Sequence, residues 1–381
     1  MKTNKIRWFK PIALVAVLAI FAGACGSDDE SSSATTAAVA DTVADTAAAD
    51  DGASDRPSWC GPDEVRLGFT DGFGGNSWRL VTTEAARNEA SKCSSVSQVD
   101  YADGGGDTQK AIADIQAMVA TGVDALVVFP DAGDAILPAL RSAYEEGVVT
   151  VPYRVDPGGT AGEDFDAFID ADHFGAGVVW GEWIVENLPD GGNVLMISGP
   201  AGNSQGVLEA EGLASILEPT GKYTMIGEQP FSVTGWDPAV TQQVLTAAIA
   251  QFPEIDVIVS DFGPSLVGAL PEFEKSGRSV PKIATSDGNS LACFYEDNKA
   301  NNPDFELFTV TTQNDHARLA VQWAVALATG GTTPDDEIYP AIPFENSITD
   351  SPNPVTCRAD LDGAIYLSAE MDADEQDALI G

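Results

Sequence analysis

Between Asp107 and Asp156 the chain alternates helix, strand, helix and strand with almost nothing between them. Asp107 is placed to cap a helix whose apolar residues Ile112, Ile115, Met118 and Val119 share one face, and Gly122 ends it. Val123 to Phe129 follows, short and apolar on both faces, as a strand inside a parallel sheet must be. A second helix carries Ile136, Leu137, Leu140 and Tyr144 as its expected buried stripe and stops at Gly147. Val148 to Tyr153 is the next strand. A strand–helix–strand crossover of this kind is right-handed, so the stretch predicts a doubly wound α/β sheet. Ligands of such sheets bind beyond the carboxyl ends of the strands, which marks Asp131 and the run Tyr153, Arg154, Val155, Asp156 as site candidates.

The residues before this unit read as targeting and tether. Lys2, Lys5, Arg7 and Lys10 precede an apolar run, Ile12 to Ala22, that is too short for a comfortable membrane span. The run closes in Ala22-Gly23-Ala24-Cys25, which resembles the lipobox of bacterial lipoproteins. That resemblance implies a signal peptide over residues 1–24 and a lipid-bearing Cys25; an ordinary secretory peptide with an incidental cysteine is the alternative. Two or more acyl chains anchor a protein stably where one does not. Residues 25–58 are Ser, Thr, Ala, Asp and Gly with almost nothing to bury, an acidic disordered tether. Its root-mean-square reach is on the order of 30 Å.

From Trp59 onward about 320 residues remain, more than one hydrophobic core usually supports, so two lobes are expected. The chain has 59 acidic and 19 basic residues, a net charge of −40. Losing the leader removes four positive charges and no negative ones, leaving −44. Such a surface repels nucleic acid and anionic lipid headgroups, so contact with a membrane is expected only through the anchor. With Cys25 set aside, four cysteines remain for an oxidising compartment. Cys60 lies just before the first strand and Cys93 just after the first helix, at one edge of a parallel sheet, so these two are expected to pair. Cys293 and Cys357 follow by elimination. Each bridge contributes ~3–4 kcal/mol if unstrained. No CxxC spacing supports a metal cluster, and no cofactor is expected.

The ordered body opens with the strand Glu64 to Thr70, a loop from Asp71 to Trp78, and a helix to Ala90. The loop's glycines miss the GxGxxG spacing and no Lys-Ser/Thr follows, so a phosphate cradle is poorly supported. Phe73, Asn76, Trp78 and Arg79 point elsewhere: a sugar offers hydroxyls to an amide and a C–H face to an indole. Trp78 fits helix core equally well. The second half repeats the grammar. Asn193 to Ser198 is a strand, 199–204 a loop holding Asn203, and Val207 to Leu217 a helix. A strand near Tyr223 to Glu228 leads to Trp236 and a helix from Pro238 to Gln251. Further strands deliver Asp261 and Asp287, and a helix from Ala317 to Ala328 returns to the first lobe. The cleft between two such lobes is the default ligand site.

From Glu64 to about Thr332 the chain resembles the type I periplasmic binding proteins, in the branch serving sugar ABC importers. The matching residues are Asn76-Ser77-Trp78, Gly122 to Leu126, Gly199 to Asn203, Trp236-Asp237, Ser260-Asp261 and Ser286-Asp287-Gly288, in that order. The resemblance implies two lobes joined by three crossings near Asp170–Asp172, Thr312–Gln313 and Tyr339–Pro343. The first lobe would take residues 59–170 and 313–340, and the second 171–312 with a tail in 341–381. It further implies a monomer outside the cytoplasmic membrane or in the periplasm, handing a monosaccharide or polyol to a permease driven by a separate ATPase. Delivery to a chemoreceptor or sensor kinase, or a non-sugar polar ligand, stays open. Asn76 and Trp78 match the family's hydroxyl acceptor and ring cover, Trp236 the opposite ring, and Asp261 and Asp287 its carboxylates; capping is the alternative for both acids. Gln313 sits within one position of the hinge amide. Four departures leave the sugar's identity open, a charged or modified polyol included: Arg79 where a second aromatic is common, no arginine in the helix from Val207 where one is usual, Ser260 where Asn is frequent, and Tyr153-Arg154-Val155-Asp156 where an Asp-Arg pair is expected.

An enzyme is not expected. The only histidines, His173 and His316, neighbour no nucleophile motif and read as structural. The fold's repressor branch carries a DNA-binding helix-turn-helix where this chain has leader and tether.

Overall fold

The computed structural model describes residues 56–381. The leader, Cys25 and all but the last three residues of the expected tether lie outside the described residues.

The first lobe begins with strand β1 (Val65–Asp71), helix α1 (Ser77–Ser91), β2 (Val96–Asp103), α2 (Thr108–Ala120), β3 (Ala125–Val128), α3 (Leu137–Glu145) and β4 (Val149–Pro152). These strands form one parallel sheet in the order β2-β1-β3-β4. β3 is fully buried because both of its faces are covered. Ala125 and Val127 join one core cluster with Leu67, Phe69, Ala86 and Ala90. Leu126 and Val128 join another, with Ile115, Met118 and Leu140 of the two helices opposite. Asp107 caps α2, its Oδ1 accepting from the N–H groups of Gln109 and Lys110. On α3 the buried residues are Ala139, Leu140 and Ala143, while Tyr144 is half-buried and donates to the Gly162 carbonyl.

The chain then crosses at β5 (Asp170–Ala171) into α4 (His173–Asn187), β6 (Gly192–Ser198), α5 (Ser204–Leu217), β7 (Tyr223–Ile226), β8 (Ser232–Val233), α6 (Pro238–Gln251), β9 (Val257–Ser260), α7 (Pro271–Lys275), β10 (Lys282–Ser286), α8 (Asn289–Asn298) and β11 (Leu307–Val310). It returns through α9 (His316–Thr329), which packs on β3, β4 and α1, so its Ala317, Ala320, Val321 and Ala324 complete the first lobe's core. β12 (Ile338–Tyr339) pairs in parallel with β5. β13 (Pro343–Asn346) runs antiparallel to β11 at the edge of the second sheet, whose order is β13-β11-β10-β9-β6-β7 with β8 beside β6. Helix α10 (Ala373–Ile380) ends the chain. The lobes are therefore joined at β5, at residues 311–315 and after β12.

Helices α4 and α5 touch backbone to backbone. A Cβ on Gly177 would fall 2.0 Å from the Glu209 carbonyl oxygen, and one on Gly212 would fall 2.1 Å from that of Phe174. α5 starts three residues before the expected Val207 because Asn203 caps it, its Oδ1 accepting from Gln205 N–H. Both expected disulfides are present, Cys60–Cys93 with Cα atoms 5.3 Å apart and Cys293–Cys357 at 4.5 Å.

Candidate functional site

The carboxyl ends of both sheets open onto one cavity of about 660 Å³. From the first lobe it is lined by Phe73, Asn76, Trp78, Arg79, Asp131 and Arg154. The second lobe and the crossing contribute Asn203, Trp236, Asp261 and Gln313. Two expected residues are elsewhere. Tyr153 is fully buried behind the wall, stacked edge-on to Phe129 and His316. Asp287 is also fully buried, and its Oδ2 accepts from Ser368 N–H at 2.8 Å. Gln205, Glu209 and Trp180 line the cavity without having been expected. The signal for the first two was the Asn203 cap, which brings Gln205 into the helix one turn before Glu209, on the same face.

Arg79 is a neutralised fixture of the first-lobe wall. Its guanidinium donates to Asp71 Oδ1 at 3.1 Å and Asp131 Oδ1 at 2.6 Å, and lies 3.6 Å from the Phe129 ring centroid. Burial outweighs Arg79 and pushes the Asp131 carboxyl up to about 6. Asn76 Oδ1 accepts from Arg79 N–H, so that oxygen caps α1. Trp78 is held by its own indole, whose Nε1 donates to the Thr312 carbonyl at 3.0 Å. Phe73 is 59% exposed and stands at the rim.

Arg154 is different. It is buried, yet no carboxylate lies within ion-pair distance among the described residues. Its guanidinium donates to Gln313 Oε1 and to Gln205 Oε1, each at 3.3 Å, so it spans from the first lobe to the second. The ring of Trp78 lies 4.7 Å beneath it. Burial pushes the guanidinium pKa down. Arg154, Trp236 and Gln313 have φ of 68°, 59° and 57°, a left-handed backbone that costs of order 1–3 kcal/mol per residue. Only one other non-glycine among the described residues, Asp350, shares it, so the strain is concentrated at the cavity.

The second-lobe wall holds two acids. Asp261 Oδ2 accepts from Ser198 Oγ at 2.7 Å, Trp236 Nε1 at 2.8 Å and Gln205 Nε2 at 3.4 Å. Its Oδ1 is buried without a partner, and burial pushes the carboxyl up to about 6. The Trp236 ring takes the space over Gly199, where a Cβ would fall 2.3 Å from the indole. Glu209 is also buried; its Oε2 has no partner and its pKa is raised by burial and by Asp261. The cavity thus offers three indoles, a buried donor and two unsatisfied carboxyl oxygens. Buried polar groups left unpaired are costly, which sets these two oxygens apart from the rest of the wall. Among the described residues no cluster of His, Cys, Asp and Glu is placed to hold a metal ion.

Two βα lobes around a polar, indole-lined cleft make a small-molecule-binding protein. The chain belongs to the periplasmic binding protein family: the model of the periplasmic binding protein domain matches residues 68–332. It is 26% identical over 272 residues to the xylitol-binding protein of Mycolicibacterium smegmatis, covering 69% of this chain and 74% of that one. It is 28% identical over 193 residues to the D-xylose-binding periplasmic protein of Escherichia coli, covering 49% of this chain and 56% of that one. Among solved structures it is similar to the myo-inositol-binding protein of Caulobacter, with a TM-score of 0.63, 19% identity and coverage of 74% and 93%. A glycerol-bound ABC transporter solute-binding protein from Mycobacterium smegmatis gives a TM-score of 0.61 at 22% identity, covering 73% and 92%. These likenesses define the type I periplasmic binding protein fold.

Proposed function

We propose that the protein captures a monosaccharide or related polyol between its lobes and delivers it to an ABC permease, tethered to the outer face of the cytoplasmic membrane by lipid on Cys25. The observation that carries the reading is the pairing, across one cavity, of Trp78 and Trp236 with the partnerless oxygens of Asp261 and Glu209 and the buried guanidinium of Arg154. A hydroxyl donates and accepts at once, so a polyol can satisfy acids and arginine together. The xylitol- and xylose-binding relatives support the ligand class, and the lipobox-like residues before Cys25 support the anchor. The cavity lies within the roughly 300–1,000 Å³ typical of small-molecule sites.

A thermal-shift screen of pentoses, pentitols, hexoses, inositols and aminosugars tests the ligand class. A ligand at a hundred times its Kd stabilises by about 2.7 kcal/mol, which a melting curve resolves. Silence across the whole panel at millimolar concentration sinks the reading. For the anchor, Cys25→Ser should move the protein from the membrane fraction to the medium or periplasm; unchanged fractionation removes the lipid.

A further inference from the structure

Residues 347–381 lie beyond the last strand and beyond the family match, yet they are fastened at many points. Cys357 is bridged to Cys293 on α8. Asn289 at the start of that helix accepts from Arg358 N–H and donates to the carbonyls of Arg358 and Asp362. Buried carboxylates then take backbone N–H groups along the segment. Glu345 accepts from Thr356 at 2.8 Å, Asp287 from Ser368 at 2.8 Å, and Asp315 from Glu370 at 2.7 Å. The first two acids belong to the second lobe and the third stands at the crossing into α9. Further on, Tyr366 and Met371 pack against Val81 of α1, in the first lobe. Gln376, fully buried, fixes that turn by accepting from Tyr366 N–H and donating to the carbonyls of Tyr366 and Met371.

Two of these contacts lead straight to the indole of the cavity. Ser368 Oγ accepts from Thr312 N–H at 3.1 Å, and the Thr312 carbonyl accepts from Trp78 Nε1. The Tyr366 hydroxyl meets Ser77 Oγ at 3.0 Å, one residue before Trp78. We propose that Tyr366 and Ser368 are positioning residues of the binding cavity: the C-terminal segment is a strap across the lobes that holds Trp78 and fixes the lobe-to-lobe distance on its own side. Asp287 is an anchor of this strap, with its Oδ2 committed to Ser368 rather than to a ligand. The lobes then separate only on the side away from the strap, and less closure remains for a ligand to bring about.

The ligand half of this proposal rests on the polyol reading; the distance half does not. Spin labels at Gln116→Cys on α2 and Gln243→Cys on α6, both exposed, report the interlobe distance in the full chain without ligand. The expected result is one narrow distribution for the parent, and a broader, longer one after Tyr366→Phe with Ser368→Ala. If that pair fails to fold, Tyr366→Phe alone decides. The same variants should bind whichever polyol the parent binds at least roughly fivefold more weakly, with a melting transition that stays cooperative. A lowered melting temperature with parental distances and affinity would mean a merely structural segment and overturns the proposal. Should no polyol bind the parent, the polyol reading fails and the distances still decide the strap.

Discussion

Glu209 Oε1 sits 3.5 Å from His173 Nδ1, close enough for an ion pair if the imidazole were charged. Burial and the nearby Arg154 hold His173 well below its ordinary range, while burial and Asp261 raise Glu209. Both shifts favour the neutral forms, a carboxylic acid in the case of Glu209. Glu209→Gln, a neutral isostere, should then bind the identified polyol within about twofold of the parent, whereas Glu209→Ala should lose up to roughly tenfold, one net hydrogen bond. Calorimetric titration decides; if Gln loses as much as Ala, the site needs the ionised acid. His316 gives a pH prediction. Its Nε2 lies 3.2 Å from the Ile169 carbonyl, which accepts from it, and burial pushes its pKa down to about 3. Because the folded value is depressed, the neutral ring contributes stability that is present above about 6.5 and lost as pH falls toward about 3. Asp131 and Asp261, raised to about 6, act oppositely: their contribution is present in acid and lost as pH rises through about 6. The test is thus the difference between parent and His316→Asn in urea unfolding, which should shrink by roughly 3 kcal/mol between pH 7 and pH 4. A constant difference rules the imidazole out. At this scale the acids and indoles at strand exits were legible, since loop position alone puts them at the cleft. Asp287 sits at such an exit too, but its partner comes from a segment 81 residues away, which no local pattern announces.

The βα repeats could be read because their helices carry a cap, as Asp107 and Asn203 provide, or a glycine stop, as at Gly122 and Gly147, beside an apolar stripe. Helix α4, capped by Asp172, shows no single stripe: Trp180, Trp183 and Ile184 pack on the second sheet and Gly177 lies against α5, which leaves Glu182 and Glu186 on a narrow exposed face. That packing sets the position of the two α5 residues that reach the cavity. Gly177→Ala tests it, and two magnitudes compete. Alanine gains about 1 kcal/mol of helix propensity over glycine. Against this, the new methyl would meet the Glu209 carbonyl oxygen at 2.0 Å, and overpacking a well-filled contact costs typically 1–3 kcal/mol. Because the obstacle is backbone, α5 must shift. The expected outcome is a net loss of up to about 2 kcal/mol in urea unfolding, together with weaker polyol binding. Stabilisation by alanine would show that the helices have room between them, and the placement of Gln205 and Glu209 would need another cause. The strap was invisible for a related reason: it is held largely through backbone N–H groups on distant carboxylates, and only Cys357 and a few apolar residues mark it in the sequence.

Charge is a property of the whole molecule here. Of the acids, eight precede Trp59, as do five of the bases, so residues 59–381 alone carry −37. Many of the ion pairs that offset this are exposed neighbours on one helix, such as Lys110 with Asp114 and Lys275 with Glu272, each worth roughly 0–1 kcal/mol. The remaining acids repel one another across the folded surface, an effect that destabilises the compact state and is screened over about 10 Å at 0.1 M salt but over 30 Å at 0.01 M. Salt should therefore stabilise this protein. Melting temperature is expected to climb steadily between 10 mM and 500 mM sodium chloride. The gain should persist in a chain beginning at residue 56, because the excess resides in the folded body and not in the segment before it. Sodium and potassium chloride should act alike, since screening depends on ionic strength, whereas a response to one cation alone would indicate a specific site. A melting temperature indifferent to salt would mean that local pairing already neutralises the surface, and self-repulsion would no longer limit the fold's stability.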